Sequence, residues 1–237
     1  MKQELKEERF SGSWLPNLIT TGNLFSGFAA ILLISNYKIE IAAWLILLAV
    51  ICDSLDGNVA RALKNTNVFG RELDSLADIV SFVVAPAFLV CKSWPAQFQV
   101  WTLLVAFFYL WAGTYRLARF NVKPPVKTHF EGLPTPAAAV IVAMAAIAYQ
   151  KNEWAGILSH MIDRGILMIA CGFLMMSRIP YPKFSGIKFS KWQLIFYLGS
   201  AVFISVGLLV NFETAIASLF FLFMLLPIVY HPKLMVD

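Results

Sequence analysis

Four aspartates stand in sequence otherwise apolar enough to cross a membrane: Asp53 and Asp56, then Asp74 and Asp78. The first pair lies in Asp53-Ser54-Leu55-Asp56-Gly57-Asn58-Val59-Ala60-Arg61. Eight residues later comes Gly70-Arg71-Glu72-Leu73-Asp74-Ser75-Leu76-Ala77-Asp78. A charged side chain at the centre of a bilayer costs about 2.5–3.5 kcal/mol on an insertion scale, so four of them require a compensating interaction. Carboxylates are hard oxygen ligands, and a divalent cation such as Mg2+ or Mn2+ is the compensation that matches them.

Residues three, four and seven apart share one face of an α-helix. Asp53, Asp56, Gly57 and Ala60 therefore form a stripe of two carboxylates and two nearly absent side chains, bordered by Arg61. Gly70, Asp74 and Asp78, spaced by four, form a second stripe, with Glu72 turned away from it. The short link through Lys64-Asn65-Thr66-Asn67 makes the two helices antiparallel neighbours whose stripes face one pocket. Glycine inside a helix costs about 1 kcal/mol relative to alanine, so Gly57 implies a steric reason, clearance for a bulky ligand against the backbone. Two other readings compete. An ion-pair network would set four acids against Arg61 and Arg71, a poor balance. A cation channel or transporter site usually lies near the midplane on broken helices, whereas these acids lie in the inner halves of their spans.

The elements that hold these residues follow from composition. The chain has 237 residues, 59% hydrophobic and 14% charged, with a mean hydropathy of +0.71. That is too apolar for a soluble domain, and a membrane span takes about 20 residues. The pattern predicts an all-α integral membrane protein, a bundle of about eight transmembrane helices at 16–35, 39–63, 73–91, 97–119, 132–149, 164–178, 192–210 and 212–230. Residues 1–190 read as one membrane domain and 191–237 as a C-terminal helix pair. Residues 1–13 are polar and mixed in charge, so no cleavable signal is expected.

A net charge of +5 raises the question of nucleic acid. Its distribution points to topology instead. Fifteen of the 19 Lys and Arg fall in alternate connections and only Lys38, Lys92, Lys151 and Arg164 in the others. The positive-inside rule then puts both termini and the acidic run on the cytoplasmic side of a cell membrane. The basic loops suit anionic membrane lipids. Cys52, Cys91 and Cys171 have no metal-ligand spacing, nor have His129, His160 and His231.

The full spacing, D-x2-D-G-x2-A-R-x8-G-x3-D-x3-D, is similar to the signature of the CDP-alcohol phosphatidyltransferase family. Asp53, Asp56, Gly57, Ala60, Arg61, Gly70, Asp74 and Asp78 fill every fixed position. The resemblance implies a membrane enzyme with a six-helix catalytic core, often a homodimer, that uses two divalent metals to displace CMP from a CDP-linked lipid with an alcohol. Segments from Leu15-Pro16-Asn17 to Tyr181-Pro182-Lys183 resemble the family's serine-transferring branch, including Tyr115-Arg116-Leu117-Ala118-Arg119 and Gly132-Leu133-Pro134-Thr135-Pro136. Val83 departs from it, where that branch often has glycine. The implied substrates are CDP-diacylglycerol and L-serine, and the implied products phosphatidylserine and CMP. Glycerol 3-phosphate, an inositol phosphate or an ether-linked archaeal lipid are the alternatives within the family. A membrane prenyltransferase is disfavoured by the spacing of Gly57, Ala60-Arg61 and Gly70.

Carried over by position, Asp53, Asp56 and Asp74 are metal ligands, and Asp78 is a ligand, the general base, or both. Gly57, Ala60 and Gly70 give room to the nucleotide, and Arg61 contacts phosphate or a structural partner. Asn17, Thr20 and Asn23 reach the nucleotide or diphosphate, or else hydrogen-bond between helices. Arg116 and Arg119 share a face, and at least one of them is expected to grip the serine carboxylate; a helix-end cap, lipid phosphate or topology anchor is the plainer alternative. Ser81 is a further candidate on the acceptor side. Tyr181 and Lys183 are candidates for phosphate or acceptor contact.

Overall fold

Helix α1 (Trp14–Ser35) buries a single face, Pro16, Thr20, Asn23, Ser26, Gly27, Ala30 and Ile34, which are three or four residues apart. The structure is a computed structural model that describes residues 14–62, 68–93, 99–122, 129–151 and 157–182. After α1 come α2 (Ile39–Ala62), α3 (Val68–Ser93), α4 (Gln99–Val122), strand β1 (His129–Glu131), α5 (Thr135–Lys151), α6 (Ile157–Met176) and strand β2 (Pro180–Pro182). Helices α1, α3 and α4 are long and apolar enough to cross a membrane, and α5 and α6 contain shorter apolar stretches. Exposed Phe25, Phe28, Leu32, Leu48, Phe107 and Trp111 give the bundle an apolar outer surface, which suits lipid rather than water. The protein is thus a multi-pass helical membrane protein. The expected spans 192–210 and 212–230 lie outside the described residues. The two-stranded ribbon was not expected.

Helix α1 stops by a Schellman turn. Tyr37 takes φ 60°, its N–H bonds to the Ile34 carbonyl at 3.0 Å and the Lys38 N–H to the Leu33 carbonyl at 3.0 Å. That satisfies two of the carbonyls a helix end leaves open. Tyrosine seldom adopts this conformation; here Lys92 Nζ, from the last turn of α3, lies 5.4 Å from its ring centre.

Pro86 explains the shape of α3. It has no N–H to give Phe82, four residues earlier, and its ring crowds that carbonyl. The helix widens into a π turn over Ile79–Val84, where the Ala85 N–H bonds to the Val80 carbonyl. The Tyr109 hydroxyl of α4, fully buried, donates to the Phe82 carbonyl at 3.1 Å. Val83, the departure noted above, packs against Gly113, where an added Cβ would come within 2.8 Å of Val83 Cγ2. The bulkier residue on α3 is thus matched by a missing side chain on α4.

Two apolar clusters hold the bundle. One joins Ile34, Ile46, Phe82, Val140 and Met144 across α1, α2, α3 and α5. The other joins Tyr109, Leu133, Ile141, Met168, Met175 and Tyr181 across α4, α5, α6 and the ribbon. Many of their members are alanines, which let helix backbones approach closely. At the acidic end the ribbon pairs Phe130 with Tyr181 in antiparallel register. Gly132, at φ 77°, faces the Met175 and Ser177 carbonyls at 2.6 and 2.8 Å from where a Cβ would stand. No other residue type fits there without displacing the end of α6.

Candidate active site

Antiparallel packing of α1 on α2, and parallel packing of α1 on α3, brings the four aspartates to one end of the bundle. One carboxylate oxygen each from Asp53, Asp56 and Asp74 lies within 4.8 Å of the other two. Asp53 and Asp74 come within hydrogen-bond reach of each other. Asp56 and Asp78 are 5% and 8% exposed. Two ionised carboxylates at such a distance repel by roughly 3 kcal/mol at an effective dielectric of about 20. Asp74 Oδ1 is buried without a hydrogen-bond partner. Among the described residues, the ion pair present is Arg71–Glu72, 3.6 Å apart and exposed. Arg71 therefore does not neutralise the cluster, and the Arg61 side chain lies outside the described set. Hard oxygens, mutual repulsion and an orphaned oxygen together fit a divalent cation.

Asp78 stands one helical turn beyond Asp74, outside that trio. Helix α1 holds it and Asp56. Thr20 Oγ1 lies 2.7 Å from Asp56 Oδ2 and 3.1 Å from the Pro16 carbonyl, a donor within reach of both. Asn23 Nδ2 donates to Asp78 Oδ1 at 3.2 Å. The Asn23 backbone carbonyl accepts from Ser81 Oγ at 2.9 Å. Thr20, Asn23 and Ser81 are all buried. The hydroxyl of Thr20 and the amide of Asn23 thus serve the carboxylates across helix interfaces, the interhelical option of the two left open by sequence. Ser81 acts in the same interface. Of Asn17, the structure places the carbonyl as acceptor for Thr21 Oγ1 at 2.8 Å.

Gly57 opens onto space: a Cβ built there meets nothing within 4 Å. Gly70 is half-buried in the first turn of α3. Ala60 and Arg61 lie in the last turn of α2, and their side chains lie outside the described set. Near the first turn of α3, Ser75 Oγ donates to Asn121 Oδ1 at 3.0 Å and Asn121 Nδ2 donates to Glu72 at 3.4 Å. These bonds tie α4 to the acidic helix.

The two arginines of α4 part company. Arg119 donates from Nη1 to the Met176 carbonyl at 3.0 Å, and from Nη2 to the Glu131 and Ser177 carbonyls at 3.0 and 3.1 Å. It caps α6 and anchors the ribbon, the helix-end role. Arg116 donates from Nη1 to Thr135 Oγ1 at 3.3 Å, and its Nε is buried without a partner. Thr135 was not among the expected site residues; its place beside Pro134 and Pro136 at the start of a helix was the available signal. Tyr181 is buried in the ribbon, which pushes its phenol up to about 12, so it remains neutral. Lys183 lies outside the described residues.

The molecule is a polytopic helical bundle with an acidic, cation-ready cluster shared by two adjacent helices. The chain belongs to the CDP-alcohol phosphatidyltransferase family, whose sequence model matches residues 13–230. It is 35% identical over 192 residues to the CDP-diacylglycerol–serine O-phosphatidyltransferase of Helicobacter pylori strain J99, covering 80% of this chain and 79% of that one. The archaetidylserine synthase of Methanothermobacter thermautotrophicus is 37% identical over 175 residues, 73% of this chain and 71% of the other. The Bacillus subtilis CDP-diacylglycerol–serine O-phosphatidyltransferase is 32% identical over 186 residues, 76% of this chain and 99% of its own.

Proposed function

We propose that the protein transfers a phosphatidyl group from CDP-diacylglycerol to L-serine, giving phosphatidylserine and CMP. The observation that carries this reading is the convergence of Asp53, Asp56 and Asp74 within 4.8 Å in a chain of this family. Relatives named for serine transfer supply the acceptor.

Asp53, Asp56 and Asp74 would hold Mg2+ or Mn2+, two ions per site, with Asp78 as a further ligand or as the base. When bound, the metal neutralises the diphosphate and stabilises charge as the bond to CMP breaks. Thr20 and Asn23 keep the carboxylates of Asp56 and Asp78 in place before substrate arrives. Asp78 accepts the proton of the serine hydroxyl; the freed oxygen bonds to the lipid phosphorus, and the phosphorus–oxygen bond to CMP breaks. The open flank of α2 at Gly57 receives the nucleotide, with Ala60, Arg61, Gly70 and Asn17 beside it.

The concentration of Lys and Arg in alternate connections supports a cell-membrane protein whose site faces the cytoplasm, with both termini there. Polar substrates then arrive from the cytosol while the acyl chains stay in lipid. Residues 1–190 form the catalytic domain, 191–237 an added helix pair, and the working unit is a homodimer, as the family resemblance implies. The Methanothermobacter relative favours one second reading, the same serine transfer onto an ether-linked lipid.

The test is CMP release by purified protein given CDP-diacylglycerol, Mg2+ or Mn2+, and either serine or glycerol 3-phosphate. Release is expected with serine, lost with EDTA and restored by excess metal. Release with glycerol 3-phosphate and not serine would overturn the acceptor. Metal flux in vesicles without CMP release would favour a transporter.

A further inference from the structure

The π turn of α3 starts at the residue after Asp78. Its Ala85 N–H reaches back to the Val80 carbonyl, one residue further than in an α-helix, so the turn holds one residue more than an α turn. One residue turns an α-helix by about 100°. The extra residue therefore rotates the acidic half of α3 by about that angle against the half that follows. In a continuous α-helix Asp78, Ala85 and Leu89 would share one face. Ala85 and Leu89 are packed in one buried cluster with Ile34 and Ile46, and Ala87 and Val90 in the other with Tyr109 and Leu133. With that half held on two sides, the π turn sets the direction in which Asp74 and Asp78 face.

Tyr109 serves this turn. Pro86 has no N–H for the Phe82 carbonyl, and the Tyr109 hydroxyl donates to that carbonyl at 3.1 Å. Phe82 and Tyr109 are both 0% exposed, so water cannot take the hydroxyl's place. A buried carbonyl without a donor is unfavourable, the more so inside a membrane. Gly113, one turn on in α4, lets that helix close on Val83 of the same turn, which keeps the hydroxyl within reach. Without the hydroxyl, the turn must rearrange to find the carbonyl another donor. Any such rearrangement alters the rotation between the two halves of α3.

We infer that Tyr109 is a positioning residue: by serving the Phe82 carbonyl it holds the π turn, and through it the angle at which α3 presents Asp74 and Asp78 to Asp53 and Asp56. Sealed in the core, it touches no substrate. The inference rests on the proposed metal and base roles of these aspartates.

Tyr109→Phe keeps the ring and removes one oxygen. It should weaken Mn2+ binding, measured by calorimetry on purified protein without substrate, by about 10–100-fold. The kcat for CMP release should fall by a similar factor, and Tm in detergent should drop. Adding Pro86→Ala to Tyr109→Phe separates position from stability. The new N–H can serve the Phe82 carbonyl by closing an ordinary α turn, so the double variant should regain the lost Tm. Its Mn2+ binding and kcat should stay low, because the α turn rotates the acids out of place. Recovery of all three together would reduce the hydroxyl to a structural donor and overturn the inference. Parent-like Mn2+ binding in Tyr109→Phe would overturn it as well. If the parent protein binds Mn2+ but releases no CMP with serine, the proposed transfer fails, and Mn2+ binding in the two variants decides the role of Tyr109 alone.

Discussion

Asp78→Asn is expected to lower serine-dependent kcat by about 10²–10⁴-fold, the range for removing a general base, while the protein stays folded and binds metal nearly as before. The substitution is isosteric. The asparagine oxygen can still accept from Asn23, whose amide now lies 3.2 Å from Asp78 Oδ1, so the contact between α1 and α3 has no reason to break. What disappears is the capacity to take a proton. The metal response distinguishes this loss from the loss of a ligand. Asp53, Asp56 and Asp74 group their oxygens within 4.8 Å without Asp78. The Mn2+ concentration giving half-maximal rate should therefore change little in Asp78→Asn. In Asp74→Asn, which loses charge in the trio itself, it should rise steeply. CMP release at a series of Mn2+ concentrations measures both. Full activity in Asp78→Asn would remove Asp78 from proton transfer, and an equal rise in metal requirement in both variants would make it a ligand instead.

The aspartates were readable because helical spacing alone puts each pair on one face, and a short link makes the two helices neighbours. Their partners were only half readable. Thr20 and Asn23 are polar residues on an apolar helix, which marks them as engaged. Whether they meet a nucleotide or a carboxylate depends on how α1 rotates against α2 and α3, and no local pattern states that. Arg116 and Arg119 share a face and look equivalent in sequence. They differ because the carbonyls of Glu131, Met176 and Ser177, distant in the chain, gather at Arg119 alone. The π turn had a local signal in Pro86, since a proline inside an apolar helix must leave a carbonyl unserved. The donor that serves it, Tyr109, required the fold. The ribbon escaped notice because three-residue strands carry too little alternation to register.

Gly27→Ala should disable the enzyme through the fold rather than the chemistry. A Cβ at Gly27 would stand 2.6 Å from Ser81 Cα and 2.8 Å from Ser81 Cβ. Cα belongs to the backbone and cannot rotate aside, so α1 and α3 must separate. Overpacking of this kind costs about 1–3 kcal/mol. Asn23 lies one turn before Gly27 on the same buried face of α1. Both of its links to α3 cross the interface that widens: the amide to Asp78 and the carbonyl that accepts from Ser81. The expected result is a lower Tm in detergent together with a fall in kcat. Gly57→Ala is the control on the neighbouring helix. Nothing lies within 4 Å of its Cβ, and alanine favours the helix by up to about 1 kcal/mol. Its Tm should hold or rise while the CDP-diacylglycerol KM increases, because the added methyl occupies the flank proposed for the nucleotide. If Gly27→Ala keeps the parent's Tm and kcat, α1 and α3 can part without moving Asp78, and Asn23 is not what holds the base in place.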